Sequence, residues 1–556
     1  MTSSKRNPYT IFSLVPLNQR AREVIADPEN QHLTSTQANG IVVLDIGFHI
    51  RSRTQDTLAT LGRGDDADIY VSGSMVSKIQ CSFEIETESN VIMLYDRSYG
   101  QTTQVFGDDA VPFEHGRSRK VVVLDRVNTI IGMGGVARNL VQFKLRWHFD
   151  PLSMMNTVKD WKRALIPPVY KPRNARTIDE SDTILGSRRV TRPHTATQGS
   201  LIMRYSILSI IGSGAFGQVH RAVDMDSGKL MAVKLLTPPG NRSEEALAGW
   251  RQSRYYSLKR EVEAISHLSH PHIVEYIDSQ GWGDEDGRVE IFMALKEGSL
   301  ESLCLSGATF SKTALFNQMI LALCYLADKD IIHRDIKPEN ILYVTAEYGH
   351  KFQLGDFGVC NATYQARTVI GTQLYMAPEV ARGGEQTPKA DVWSLFVTMV
   401  WTFDCQGFRE KSRQFVNNAD IYKAIDSIAT SEDCVASIKE MAVQDPRGRA
   451  SALDMLQKCR NSVAHGAPTP MDVDQIATPA FRRTPERTPE PGPVHQPRRP
   501  NLYDDDDDDD NNNNREEGRG LRRSARLATQ RASLLSPDRP SMAKNKGPWW
   551  GERRWS

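Results

Sequence analysis

At 556 residues the chain is too long for one ordinary hydrophobic core, so two folded domains joined by linkers are expected. Hydrophobic residues make up 39% and charged residues 25%, close to soluble globular chains, and the net charge of +1 conceals opposite local excesses. No run approaches the roughly 18 apolar residues of a membrane helix, and the opening MTSSKRNPYTIFSLVPLNQR lacks a secretory apolar core. The expectation is therefore an intracellular protein with no membrane partner.

Residues 1–39 read as an N-terminal extension. From 40 to 148, short Val- and Ile-rich runs (IVVLDI, DIYV, SFEI, VIMLY, VVVLD, TIIG, FKLRW) alternate with turn-formers, the spacing of an all-β sandwich. Residues 149–203 are richer in Arg, Thr, Ser and Pro, carry no sustained period, and read as a linker. Over 204–460 the texture changes to strands followed by long helical patterns such as LFNQMILALCYLADK and VWSLFVTMVWTF, a two-lobed α+β arrangement. Residues 461–556 are Pro-rich, with seven consecutive aspartates and a basic stretch. Such a tail buries too little apolar surface to offset chain entropy and is expected to be disordered. The seven cysteines are scattered and never spaced as C-x-x-C, which argues against a disulfide framework or a structural zinc.

IGSGAFGQV places G-x-G-x-x-G-x-V at Gly212, Gly214, Gly217 and Val219. Glycines let a hairpin lie close over phosphates, although the same turn also closes ordinary hairpins. MAVK follows with Lys234, and KREVEAISHL offers Glu261 on a helical pattern. HRDIKPENIL, from His333 to Leu342, matches H-R-D-x-x-x-x-N at each named position, and DFG follows with Asp356. GTQLYMAPEV then supplies Ala377, Pro378 and Glu379.

In this order the motifs resemble the eukaryotic protein kinases. The resemblance implies that Asp335 orients the incoming hydroxyl and accepts its proton, with Lys337 near the transferred phosphoryl group. It implies magnesium at Asn340 and Asp356, since a hard octahedral ion takes carboxylate and carbonyl oxygens. ATP is expected under Ile211, Gly212, Gly214, Gly217 and Val219. Lys234 is expected to meet its α- and β-phosphates, Glu261 to hold that lysine, and Ala294 and Lys296 to complete the site. The resemblance further implies a Glu379–Arg449 pair and an Asp391 that braces the catalytic loop. Lys337 and Thr372 point to serine or threonine as acceptor. Phe396, where the family usually has glycine, and FDCQGFREKSRQF depart from the pattern outside the chemistry.

In the amino-terminal region, LGRGDDADIYV, VSKIQCSF and LYDRSYGQT resemble a forkhead-associated (FHA) domain in order and spacing. The resemblance implies phosphothreonine recognition by Arg63, Ser77 and Lys78, through charge-assisted hydrogen bonds to a group carrying nearly two negative charges. Gln80 stands in place of the usual scaffold histidine, and Gly100 and Gln101 in place of an asparagine-glycine pair. A sandwich kept only for packing or dimerisation is the competing reading.

The order of FHA-like module and kinase resembles the checkpoint kinases of the DNA-damage response. ARTVIGTQLYMAPE then implies an activating threonine at Thr368, with Arg334 as partner of its phosphate. The fold expected is thus an all-β FHA-like sandwich followed by a two-lobed α+β kinase, with a disordered tail. The expected function is ATP-dependent phosphorylation of protein serine or threonine, recruited by phosphothreonine proteins and acting in the nucleus and also the cytoplasm. A transient homodimer would phosphorylate Thr368 in trans. No aromatic-interleaved basic platform marks a nucleic-acid site. A scaffold signalling without catalysis, or a kinase of meiotic or growth control, stand as alternatives.

Overall fold

The computed structural model describes residues 5–164, 202–214, 217–236, 259–282 and 288–464, apart from 53, 260–261, 264–265 and 357–369. The acidic and basic tail, and the disorder expected of it, lie outside the described residues.

The amino-terminal region is built from eleven strands in two sheets. One has the order β2-β3-β1-β11-β10-β8 and the other β5-β4-β6-β7-β9. Their bounds are β1 Thr10–Pro16, β2 Thr34–Thr36, β3 Val42–Gly47, β4 Thr57–Gly62, β5 Ile69–Tyr70, β6 Cys81–Ile85, β7 Ile92–Asp96, β8 Thr103–Phe106, β9 Lys120–Val122, β10 Ile130–Met133 and β11 Val141–Trp147. β11 alternates buried and open positions, the signature of a half-buried strand. The sheets share one core, where Phe12 of the first meets Phe83 of the second edge to face at 4.9 Å.

Two boundaries differ from the sequence reading. The expected extension 1–39 contains β1, which lies between β3 and β11 near the middle of the first sheet, with Ile11, Phe12 and Leu14 fully buried. The expected linker opens with helix α2, Pro151–Ala164, after α1, Gln19–Ala26. The Asp150 carboxylate accepts from the Leu152 and Ser153 N–H groups at 3.2 and 3.1 Å and so caps α2. Met154 and Val158 enter the sandwich core, and Trp161 packs on Tyr9 and Phe48. The apolar residues recur at 154, 158 and 161, a helical spacing diluted by polar neighbours.

The small lobe is an antiparallel sheet, β12-β13-β14-β16-β15, comprising Tyr205–Gly214, Gly217–Asp224, Leu230–Leu236, Val289–Ala294 and Tyr276–Gln280 in that order. It docks on the sandwich through the turn after β13. Val223 and Met225 are fully buried in the sandwich core, and the Val122 N–H donates to the Met225 carbonyl at 2.9 Å. Gly228 lies at φ +79°, and a Cβ there would come within 2.8 Å of Met93 Sδ. Asp226 accepts from Arg117 at 2.8 Å and from Arg204.

The large lobe centres on helix α3, Lys389–Phe403, in which nearly every position is buried, as expected of a helix apolar all round. The helix Lys312–Asp328 packs on it, and the hairpin of β17 (Ile341–Ala346) and β18 (Gly349–Leu354) flanks the cleft.

Candidate active site

The roof of the cleft is the β12–β13 hairpin. Gly214 and Gly217 face one another in its register, and a Cβ on Gly217, at φ +145°, would stand 2.0 Å from the Leu235 carbonyl oxygen. Only glycine therefore lets this hairpin lie against β14. Gly212 pairs with Val219, and Val219 with Lys234 on β14, so three expected ATP-site residues share one ladder. Ile211, next to Gly212, is 45% exposed. Lys234 is 8% exposed, and its Nζ donates to Asp356 Oδ1 at 2.7 Å. Ala294 ends β16 with its N–H on the Glu275 carbonyl at 3.0 Å. Beyond it, burial and then Lys351 push the Lys296 ammonium pKa down, against Glu275. Glu261, expected to hold Lys234, lies outside the described residues.

The floor is the loop His333–Asn340. Asp391, near the start of α3, accepts the His333 and Arg334 N–H groups at 2.7 and 2.9 Å, the bracing expected of it. Burial pushes its carboxyl up, opposed by His333 and by those two bonds. His333 is also buried, which holds its imidazole below the ordinary value. Its Nε2 faces the Gly355 carbonyl at 3.0 Å and its Nδ1 the Asp335 N–H at 3.4 Å, so the neutral Nε2–H tautomer satisfies both. Arg334 and Asp356 both hold left-handed backbone, φ 69° and 53°, a conformation that non-glycine residues adopt at a cost.

The Asp335 carboxylate receives Lys337 Nζ and Asn340 Nδ2, each at 2.8 Å. Asn340 Nδ2 also donates to the Asp335 carbonyl at 2.7 Å. That uses both amide hydrogens and leaves Oδ1 as the acceptor end of Asn340. The Gly355 N–H bonds the Asn340 carbonyl at 2.8 Å, tying the segment of Asp356 to the loop. Burial pushes the Asp356 carboxyl up, but Lys234 outweighs it and holds the pKa below the ordinary range. An amide oxygen and an ionised carboxylate on adjacent segments are hard donors that fit a hard dication. Asn340 and Asp356 would hold magnesium, which would there neutralise phosphate charge.

Thr368 lies outside the described residues, and Thr372 falls in the helix Ile370–Tyr375. Arg334, its expected partner cation, is exposed. Glu379 and Arg449 form the expected pair, with bonds of 2.6 and 2.8 Å. Phe396, in place of the family's glycine, is fully buried in the large-lobe core. In the other departing stretch Arg409 donates to the Trp401 and Thr402 carbonyls, both at 2.9 Å, closing the end of α3. Sequence reading missed Glu301. Its charge helps to raise the Glu339 carboxyl, although loss of solvent around Glu339 is the larger cause. The signal was present in EGSLESL.

In the sandwich, the loops after β4 and β5 run side by side: the Arg63 N–H bonds the Ser77 carbonyl, and the Gly64 N–H the Lys78 carbonyl, each at 3.0 Å. Arg63 Nε donates to the Val76 carbonyl at 2.7 Å. Arg63, Ser77 and Lys78 thus stand together, the two cations exposed. Gln80, read as a departure, is fully buried and ties two loops together. Its Oε1 accepts the Ser77 N–H at 2.9 Å, and its Nε2 donates to Thr102 and Thr103 hydroxyls at 3.0 and 2.9 Å. Gln101 takes the left-handed turn conformation at φ 51°.

A two-lobed cleft with this loop, lysine and aspartate is that of a protein kinase, and residues 205–459 match the protein kinase domain family. Over 264 residues the chain is 31% identical to mitogen-activated protein kinase kinase kinase 3 of Arabidopsis thaliana, covering 45% of this chain and 39% of that protein. It is 34% identical over 202 residues to the cytokinesis protein sepH of Emericella nidulans, covering 35% and 14% of the two chains. To the serine/threonine-protein kinase fused of Drosophila melanogaster it is 30% identical over 201 residues, covering 34% and 23%. The chain thus spans well under half the length of these relatives. The domain at 205–459 is a protein serine/threonine kinase domain.

Proposed function

We propose that the chain is an ATP-dependent serine/threonine protein kinase, recruited by phosphothreonine recognition and acting in DNA-damage or cell-cycle checkpoint signalling in the nucleus. The observation that carries the catalytic part is one unit: Lys337 and Asn340 donate to Asp335, the Gly355 N–H to the Asn340 carbonyl, and Lys234 to Asp356. Asp335 is held where it orients an acceptor hydroxyl and takes its proton. Lys337, 2.8 Å from that carboxylate, places positive charge where the phosphoryl group gains negative charge. Lys234, on the neighbouring strand, faces the ATP phosphates. Asn340 and Asp356 would hold magnesium, which would there supply positive charge against the phosphates. Glu339, with the charge of Glu301 acting on it, gives a mild preference for arginine upstream of the acceptor, Ser299 standing where a second acidic residue would strengthen it.

The recruitment part is supported by Arg63, Ser77 and Lys78 converging on one end of the sandwich, with Gln80 ordering their loop. Phosphothreonine on a second copy would pair two kinases, and the raised effective concentration would favour phosphorylation of Thr368 in trans. The test is to incubate the full chain and MgATP with a positional peptide library. Phosphate on serine and threonine, with selection for upstream arginine, supports the reading. Phosphate confined to tyrosine, or none, overturns it.

A further inference from the structure

At the far end of α3 the chain turns sharply, with Asp404 and Gln406 both left-handed, at φ 54° and 52°, on either side of Cys405. The Cys405 side chain is driven inward, 3% exposed, and its Sγ lies 3.1 Å from Sγ of the exposed Cys434. Cys434 belongs to the short helix Asp433–Ala436, which follows the helix Asn418–Ser431. A second contact joins the same segments, Gln406 Nε2 to the Ser431 hydroxyl at 3.0 Å. A carboxylate oxygen of Glu432 lies within 4.8 Å of both sulfurs. The thiols are thus in contact, and only about an ångström of approach separates them from a bond of roughly 2.05 Å.

We propose that Cys405 and Cys434 are an oxidisable dithiol, closed to a disulfide by glutathione disulfide or a similar low-molecular-weight disulfide. The exposed Cys434, as thiolate, attacks one sulfur of the oxidant and releases one glutathione thiolate, leaving a mixed disulfide. The sulfur of Cys405, shielded from solvent, then displaces the second glutathione, and its proton passes by way of the Glu432 carboxylate to the departing glutathione thiolate. One dithiol and one glutathione disulfide become one protein disulfide and two glutathione thiols. The order follows from exposure, since an accessible attacking cysteine beside a buried resolving one is the arrangement of a redox-sensitive pair. Among the described residues, two thiols and one carboxylate gather here, one protein ligand short of a closed structural zinc site. The closed form staples the end of α3 to the segment beyond Asn418–Ser431, a helix packed against Ile370–Tyr375 beside the cleft.

To test it, the full chain is reduced, equilibrated in glutathione buffers from fully reduced to fully oxidised, alkylated and mapped by peptide mass spectrometry. The expected product is a cross-linked pair of peptides carrying Cys405 and Cys434, two hydrogens lighter than their sum. Both cysteines should lose alkylation in one transition, and the large-lobe unfolding midpoint should rise by about 5 °C or more. Cys434→Ser should leave Cys405 alkylated throughout, and Glu432→Gln should slow closure and leave the mixed disulfide at Cys434 to accumulate. Both cysteines remaining alkylated in the most oxidising buffer would overturn the proposal. So would a wild-type glutathione adduct that never resolves, or one zinc ion retained per chain through gel filtration that protects both thiols.

Discussion

Replacing Glu379 by alanine should be among the most damaging single changes to the large lobe. The Arg449 side chain is fully buried and Glu379 is 8% exposed, so the pair is shielded from water and from salt. Arg449 also donates to the carbonyls of Val443, Lys389 and Gln444 at 2.8, 2.9 and 3.1 Å, and its guanidinium lies 5.2 Å over Trp393. Those partners keep it in place when the carboxylate is removed, but its charge is then uncompensated. Breaking a buried pair in this way costs about 3–5 kcal/mol. Glu379→Gln removes the charge but keeps one acceptor, so it should lose less than Glu379→Ala by about 1.5–3 kcal/mol, the worth of the hydrogen bond it retains to a charged group. Urea denaturation gives the stability loss, and hydrogen exchange at the amides of α3 shows where it falls. A loss below about 1 kcal/mol for Glu379→Ala would refute the argument that this charge is compensated mainly by Glu379.

Asp226→Ala removes one of two carboxylates shared by Arg117 and Arg204, whose side chains are 10% and 12% exposed, and leaves them Glu114 at 2.8 and 3.4 Å, so it should weaken docking of the small lobe on the sandwich by about 1.5–3 kcal/mol, the worth of a hydrogen bond to a charged group. Faster hydrogen exchange of the Val122 amide would report it, and unchanged exchange would contradict it. Burial, and then Arg6, lower the pKa of His148 to about 4, below the ordinary 6.5 of the unfolded chain. Between those values the unfolded chain binds more protons, so stability should fall as pH drops from about 6.5 to about 4. His148→Gln should flatten that slope in denaturation midpoints, and an unchanged slope would reject the assignment. Arg63→Ala should reduce phosphothreonine-peptide binding by the full chain at least tenfold in calorimetry, and equal affinity would leave the module as packing alone.

The catalytic loop was legible because its chemistry demands particular residues at fixed spacing, so HRDIKPEN and DFG could be placed before any fold was known. Asp391 and Arg449 were expected from the resemblance to the protein kinases alone, since both lie far in sequence from the groups they hold. β1 was missed because TIFSLV stands alone between a polar start and a helix, and its burial depends on β3 and β11, far apart in sequence. α2 was missed because its apolar positions are separated by Asn, Thr, Lys and Asp. Gln80 was read as a departure because residue identity was weighed before function. A buried amide can accept from one loop and donate to another, as a scaffold histidine would. Docking through Val223 and Met225 left no local mark, since apolar residues at a strand end and in the turn after it look alike whether water or a second domain covers them.

The central claim, that Asp335 serves phosphotransfer within an intact cleft, is tested most directly by Asp335→Asn. The substitution is nearly isosteric and keeps an acceptor for Lys337, but it removes the carboxylate that takes the hydroxyl proton. Phosphorylation of a serine peptide is measured beside ATP affinity and the unfolding midpoint. The account predicts that phosphate transfer falls by about 100-fold or more while ATP affinity and unfolding midpoint stay near wild type. Wild-type turnover in this variant would contradict it.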